Sequence, residues 1–293
     1  MRISAKRLDG LLAQVPTASN STGLPAPTKS LSVEGIAVAP PGQQLPTITN
    51  ITFALRAGDG VGVIGPSGSG KSTLVRALAG VWSTLPRTGS VRLDGATLDQ
   101  WSSEEIGRHI GYLPQDIELF EGTIAENIAR LDPDASAEIV VRAGQLSGAH
   151  DMIVRLSEGY ATPIGEGGLK LSAGQRQLVG LARALYGDPF LIILDEPNSN
   201  LDAKGDEGLT RAIAGIRERG GIVVVVAHRA SALASLNMVL ALSEGQQAAF
   251  GSKEEVLARI TKQPPSGQMA AASGQGAQGN PLKVVQAGSG NVP

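Results

Sequence analysis

The sequence predicts an α/β fold in which a largely parallel sheet is covered by helices on both faces. Two patterns carry that expectation. Short β-branched runs alternate with helical patterns along most of the chain, and two of those runs, Leu191 to Leu194 and Ile222 to Val226, are apolar throughout. Strands buried on both faces require this, because neither face can carry polar side chains. Composition supplies a third observation: 42% of the 293 residues are hydrophobic but only 3% aromatic, so the core has to be aliphatic. A chain of this length buries enough surface to do without disulfides or a structural metal.

Strands are expected, in order, at Val61 to Ile64, Ser90 to Leu93, Ile110 to Leu113, Leu191 to Leu194, Ile222 to Val226 and Met238 to Leu242. Helices are expected at Ser72 to Ala79, Ser136 to Ala143, Ser172 to Tyr186, Asp206 to Arg219 and Lys253 to Ile260. The ends differ in composition. Residues 1–16 place Ile3, Leu8, Leu11, Leu12 and Val15 at near-helical spacing beside Arg2, Lys6 and Arg7, and residues 17–30 form a Ser/Thr/Pro linker. From Gln263 to Pro293, Gly, Gln, Ala and Ser dominate; such a tail buries too little surface to offset its ordering entropy and is expected to be disordered. The compact domain is therefore expected at 31–262.

A net charge of −2 leaves no global positive field for nucleic acid, so no nucleic-acid partner is expected. No cysteine occurs, which excludes a thiol nucleophile and a cysteine zinc site and makes the cytosol the default compartment. No apolar run approaches the ~20 residues of a membrane span. Glycine, at 38 of 293 residues, is used at nearly twice the ordinary rate, which points to special backbone conformations.

Gly65 to Ser72 reads GPSGSGKS, matching G-x-x-x-x-G-K-[ST] between a strand and a helix. Glycines 65, 68 and 70 let successive N–H groups turn inward around an anion, and the helix N-terminus adds its positive dipole end. Lys71 then reaches the β- and γ-phosphates, and Ser72 can ligate Mg²⁺. Gly65, Pro66, Ser67, Gly68, Ser69, Gly70, Lys71, Ser72 and the adjoining Thr73 form the expected nucleotide cradle. An ordinary glycine-rich loop has no need of the Lys-Ser pair. Leu191 to Pro197 reads LIILDEP, which delivers two carboxylates to the carboxyl end of a buried strand, where open α/β sheets bind ligands. Asp195 would hold Mg²⁺, and Glu196 would orient and deprotonate the attacking water, since phosphoryl transfer needs a positioned nucleophile more than covalent help. Leu171 to Gln177 reads LSAGQRQ, in which Ser172 is suited to cap the following helix.

These three motifs, which follow one another along the chain as GPSGSGKS, LSAGQRQ and LIILDEP, resemble the ATP-binding-cassette family, with Ala173 at the usual first glycine of the signature. The resemblance covers about residues 31–262. It implies a P-loop NTPase core with a mostly parallel sheet, an antiparallel β subdomain and an inserted helical subdomain at about 115–185. It also implies that Ser172, Gly174 and Gln175 form a second phosphate clamp, acting on the nucleotide held by a partner copy, hence an ATP-dependent homodimer. Gln115, after IGYLP, resembles the Q-loop glutamine, a further Mg²⁺ ligand; His228, after IVVVVA, resembles the switch histidine; Ser199 to Asp202 resembles the D-loop.

Leu113 to Ala129 and Ile164 to Gly168 look like exporter-type cassettes, and EPNSNLD and VAPPGQ are similar to ATPases of type I protein secretion. The resemblance thus implies ATP hydrolysis powering a membrane exporter, at the cytoplasmic face of the inner membrane, with a transmembrane exporter domain as partner. Such proteins usually carry six membrane helices ahead of the cassette. Residues 1–16 resemble the basic tail of the last of these, so the chain reads as an ATPase half or a truncated product. Leu31 to Thr52 lacks the aromatic on which the family commonly stacks adenine. The corresponding position falls near Val38, and weak base discrimination is expected. Leu178 has no assigned role. Two other readings stay open: a soluble cassette ATPase unconnected with transport, disfavoured by the single P-loop and the absence of heptads, and a nucleotide-binding module without turnover, disfavoured by Glu196 and His228.

Overall fold

Two β-sheets clasp one helix. The computed structural model describes residues 23–43, 45–227 and 230–262. The amphipathic segment expected at 1–16, most of the linker's first half and the tail from 263 lie outside the described residues. The chain runs through β1 (Ser30–Val38), β2 (Ile48–Arg56), β3 (Gly60–Ile64), α1 (Lys71–Leu78), β4 (Ser90–Leu93) and β5 (Ala96–Thr97). Then come α2 (Ser103–His109), β6 (Ile110–Leu113), α3 (Ile124–Ile128), α4 (Ala137–Ser147), α5 (His150–Ile153) and α6 (Ala173–Leu185). The last elements are β7 (Leu191–Asp195), α7 (Ala203–Glu218), β8 (Ile222–Val226), β9 (Met238–Ser243), β10 (Gln246–Ser252) and α8 (Lys253–Lys262).

The larger sheet has the order β10-β9-β3-β8-β7-β6. Its strands from β9 to β6 are parallel, and only the edge strand β10 is antiparallel. This is the expected parallel core. The smaller sheet, β2-β1-β4-β5, is antiparallel throughout. Ser90 to Leu93 is a strand as expected and belongs to this second sheet, paired with β1. β1, β2 and β10 went unpredicted because their apolar residues are diluted: β2 alternates buried Ile51, Phe53 and Leu55 with exposed partners, and β1 is broken by register shifts around Gly35.

The burial pattern explains the two wholly apolar strands. Leu191, Ile193, Ile222, Val224 and Val226 face α1, whose Leu74, Val75 and Leu78 fill the space between the sheets. Ile192, Leu194, Val223 and Val225 face the other way, against Leu181 and Leu185 of α6 and Leu209, Ile213 and Ile216 of α7. A third cluster gathers Leu119, Ile124, Ile128, Val140, Ile153, Ile164 and Leu171 around Val179 of α6, giving the helices inserted between β6 and β7 their own core. Leu178 packs partly buried against this cluster, which accounts for an apolar residue there. Among the described residues no helix is long and apolar enough to cross a membrane.

Ahead of β1, the N–H groups of Thr28, Lys29 and Ser30 all donate to the carboxylate of Asp94, in the β4–β5 turn, at 2.7–3.2 Å. On the opposite side, α6 lies hard against β6: a β-carbon on Gly111 would stand 1.9 Å from the Ala184 carbonyl oxygen. Gly111→Ala is therefore expected to destabilise the fold by about 2 kcal/mol, since backbone has to move to admit the methyl, and to lower Tm by roughly 4–8 °C. Calorimetry checks this, and an unchanged Tm would show that α6 can back away freely.

Candidate active site

The site grows out of the carboxyl end of β3. Gly65 follows the strand with φ 153°, and a β-carbon there would meet the Leu242 carbonyl oxygen at 2.3 Å. Gly70, at φ 93°, is the residue before α1 and faces Ile48 at a distance no side chain would allow. Between them Pro66, Ser67 and Gly68 form an exposed crest, while Ser69 and Thr73 are buried. α1 starts with no side-chain cap and no acidic residue in its first turn. Its leading N–H groups and dipole are thus left for an anion to satisfy.

Lys71 folds back over this loop, and its Nζ donates to the carbonyls of Gly65 at 2.9 Å and Pro66 at 2.8 Å. It is 6% exposed, and burial holds its ammonium below the usual lysine range, opposed by the nearby charges of Glu196 and Asp195. The cradle therefore holds one positive charge in a partly dry setting, bound only to neutral carbonyls that phosphate oxygens can replace.

Two strands away, Asp195 ends β7 fully buried. Its Oδ1 is 3.5 Å from Ser72 Oγ, and its Oδ2 has no hydrogen-bond partner. Burial pushes this carboxyl above the ordinary aspartate range, with the Ser72 hydroxyl opposing. A buried carboxylate oxygen without a donor, beside a hydroxyl on the phosphate cradle, is a fit donor set for a divalent cation. Glu196 follows at φ 52°, a left-handed conformation unusual for a residue with a side chain, and its carbonyl accepts the Ser199 N–H at 3.2 Å. Gln115 lies just beyond β6, whose Leu113 is the register partner of Leu194, so it leaves the sheet at the same edge as Asp195 and is exposed. His228 lies outside the described residues.

Ser172 caps α6: its Oγ accepts the Gln175 N–H at 3.2 Å, and Gln175 Oε1 accepts the Ser172 N–H at 2.9 Å. The hydroxyl hydrogen is not used in this box. Ser172, Gly174 and Gln175 line a cavity of about 490 Å³ together with Asn200 and Asp202, and no residue of the P-loop lines it. The fold thus brings the cradle, Asp195 and Glu196 together at one sheet edge and sets the second helix start on a separate surface. Gln177, part of LSAGQRQ but given no role from the sequence, is buried and bonded to the segment after Glu196. The signal for it was available: a glutamine three residues after Gly174 on a helix faces the same way as that glycine.

A strand, an anion-binding loop, an uncapped helix and a buried aspartate two strands away define a P-loop nucleotide-binding domain. Within that class, residues 48–199 match the family described as ABC transporter, and the chain belongs to it as an ATP-binding cassette. It is 56% identical over 261 residues to the type I secretion system ATP-binding protein PrsD of Rhizobium meliloti (strain 1021), covering 89% of this chain and 44% of that protein. It is 35% identical over 257 residues to the cyclolysin secretion/processing ATP-binding protein CyaB of Bordetella pertussis, covering 87% and 36%. The structure of a bacterial Atm1-family ABC exporter with ATP bound superposes with a TM-score of 0.77 at 29% identity, over 88% of this chain and 45% of that one. The chain thus spans less than half the length of these relatives.

The buried Asp195 charge has no donor on one oxygen, so the nucleotide-free protein carries a desolvation cost. Asp195→Asn is expected to stabilise it at neutral pH by about 1 kcal/mol, seen as a Tm raised by roughly 2–4 °C. A lowered Tm would mean that Lys71 and Ser72 already compensate the carboxylate.

Proposed function

We propose that this chain is the ATP-hydrolysing part of a membrane exporter of type I protein secretion. The observation that carries the reading is the cradle and carboxylate pair on one sheet edge, in a chain 56% identical to a type I secretion ATP-binding protein. Support for export over a soluble ATPase comes from Phe120 and Leu169, 57% and 80% exposed, in the stretches where exporter cassettes meet their membrane partner. A transmembrane exporter domain covering them would place the chain at the cytoplasmic face of the inner membrane.

Hydrolysis follows from the groups in place. The α1 N–H groups and those of the P-loop donate to the nucleotide phosphates, and Lys71 exchanges the carbonyls of Gly65 and Pro66 for β- and γ-phosphate oxygens. Ser72 and Asp195, joined by Gln115, would hold Mg²⁺, which supplies charge neutralisation at the phosphates when bound. Glu196 takes the proton of the attacking water and keeps that water in line. His228 is assigned the switch role at the γ-phosphate. Ser172, Gly174 and Gln175 of one copy present a capped helix start and an unused hydroxyl hydrogen to the nucleotide on the other copy. Two copies joined by ATP then complete two sites.

Glu196→Gln should bind ATP and hydrolyse it at least about a hundredfold more slowly. In that variant ATP should give a dimer on size-exclusion chromatography, and adding Ser172→Arg should return it to monomer. Near-parental turnover removes Glu196 from its role.

Val38 is fully buried in the core between the sheets and offers no surface to a base. The position expected to stand in for the missing aromatic is thus closed, and the cradle contacts described act on phosphates alone. GTP is expected to support hydrolysis with kcat/KM within about tenfold of ATP, because lost stacking on the order of 1 kcal/mol is close to one decade. Competition of GTP against labelled ATP measures it; a preference for ATP above roughly a hundredfold would place base recognition elsewhere in the chain.

A further inference from the structure

The face of α6 that begins at the second helix start also grips the turn behind Glu196. Gly174 and Gln177 are three residues apart and share that face. A β-carbon on Gly174 would stand 2.9 Å from the Asn200 carbonyl oxygen, so the backbone at 200 already rests on the head of the helix. Gln177 is 1% exposed; its Nε2 donates to the Pro197 carbonyl at 2.7 Å, and its Oε1 accepts from Asn200 Nδ2 at 3.4 Å. One buried amide thus holds both ends of the segment from 197 to 200, and Pro197 is the neighbour of Glu196.

We infer that Gln177 is a positioning residue: it fixes the left-handed turn that aims Glu196 and ties that aim to the position of Ser172 at the head of α6. The inference rests on the hydrolytic reading given above. Glu196, at φ 52°, sits in a sparsely populated conformation, which persists only where the surroundings over-determine it. The Ser199 N–H bond to the Glu196 carbonyl closes the turn from one side, and the Gln177 bond to Pro197 closes it from the other. Turning the Gln177 side chain away would leave a buried donor and the Pro197 carbonyl without each other. A movement of the first turn of α6, such as engagement of a partner's phosphate by Ser172, is therefore carried through Gln177 to Pro197 and Glu196. Each copy's carboxylate then reports on the site its own clamp serves, so the two sites fire together.

The test uses the full 293-residue chain with Mg²⁺ and ATP. Gln177→Leu removes both bonds, and Gln177→Glu keeps the shape and the acceptor for Asn200 while losing the donor to Pro197. Both should lower kcat by about 10- to 100-fold, as small misplacements of a reacting group do. KM should stay within about threefold, and the Hill coefficient for ATP should fall toward 1. A kcat within about threefold of the parent overturns the inference, as does a lowered kcat with an unmoved Hill coefficient. Amide hydrogen exchange at Ser199 in the nucleotide-free chain reads the grip without turnover: it should quicken at least about tenfold in Gln177→Glu, and unchanged exchange overturns the inference even if Gln177→Leu fails to fold. A parent chain without ATP turnover counts against the hydrolytic reading instead, and the exchange measurement still decides the grip.

Discussion

Everything in the site depends on leaving the start of α1 unsatisfied. Four helices, α2, α3, α6 and α7, close their first turn with a side-chain oxygen, from Ser102, Thr123, Ser172 and Asp202. α1 has a left-handed glycine in that place and no cap. Such an exposed set of donors is tolerable only where the helix is held by other means. Here the means are Leu74, Val75 and Leu78, packed between two sheets so that α1 stays folded without its cap. The small antiparallel sheet is thus more than an appendage. It completes the burial that lets the helix end stay open.

The parallel core was legible because burial on both faces writes itself as an apolar run, and β7 and β8 are that case. The cradle was legible because its backbone geometry demands glycines at fixed spacing. What stayed hidden has the opposite character. β2 alternates, β1 is irregular, and β4, the second partner of β1, is distant in sequence, so no local pattern separates a strand of the second sheet from one of the first. Ser90 to Leu93 shows as a strand in the sequence, but its place in the antiparallel sheet does not, for that reason. For Gln177 the spacing to Gly174 shows which face it shares, but its contacts, a backbone carbonyl and a side chain about twenty positions away, leave no mark in the local sequence.

Charge in the site is arranged by burial more than by pairing. Lys71 sits against carbonyls, Asp195 keeps one oxygen without a donor, and both are almost dry. In an interior of low dielectric, opposite charges a few ångströms apart attract strongly but are costly to keep when incompletely matched. A nucleotide with its cation would bring the missing opposite charges to both groups. Binding energy then goes partly into relieving a tension the folded chain already holds.

The Asp94 carboxylate gives the molecule a point of mechanical attachment. Three consecutive backbone N–H groups, from Thr28 to Ser30, converge on it immediately before β1 begins. A pull on the chain upstream of residue 28 meets these bonds before it reaches the first rung of the β1–β2 ladder. Force arriving from that direction is delivered into the β4–β5 corner and the small sheet as a whole, and that sheet backs α1. The incoming segment is thus anchored to the sheet that packs behind α1 and the phosphate cradle.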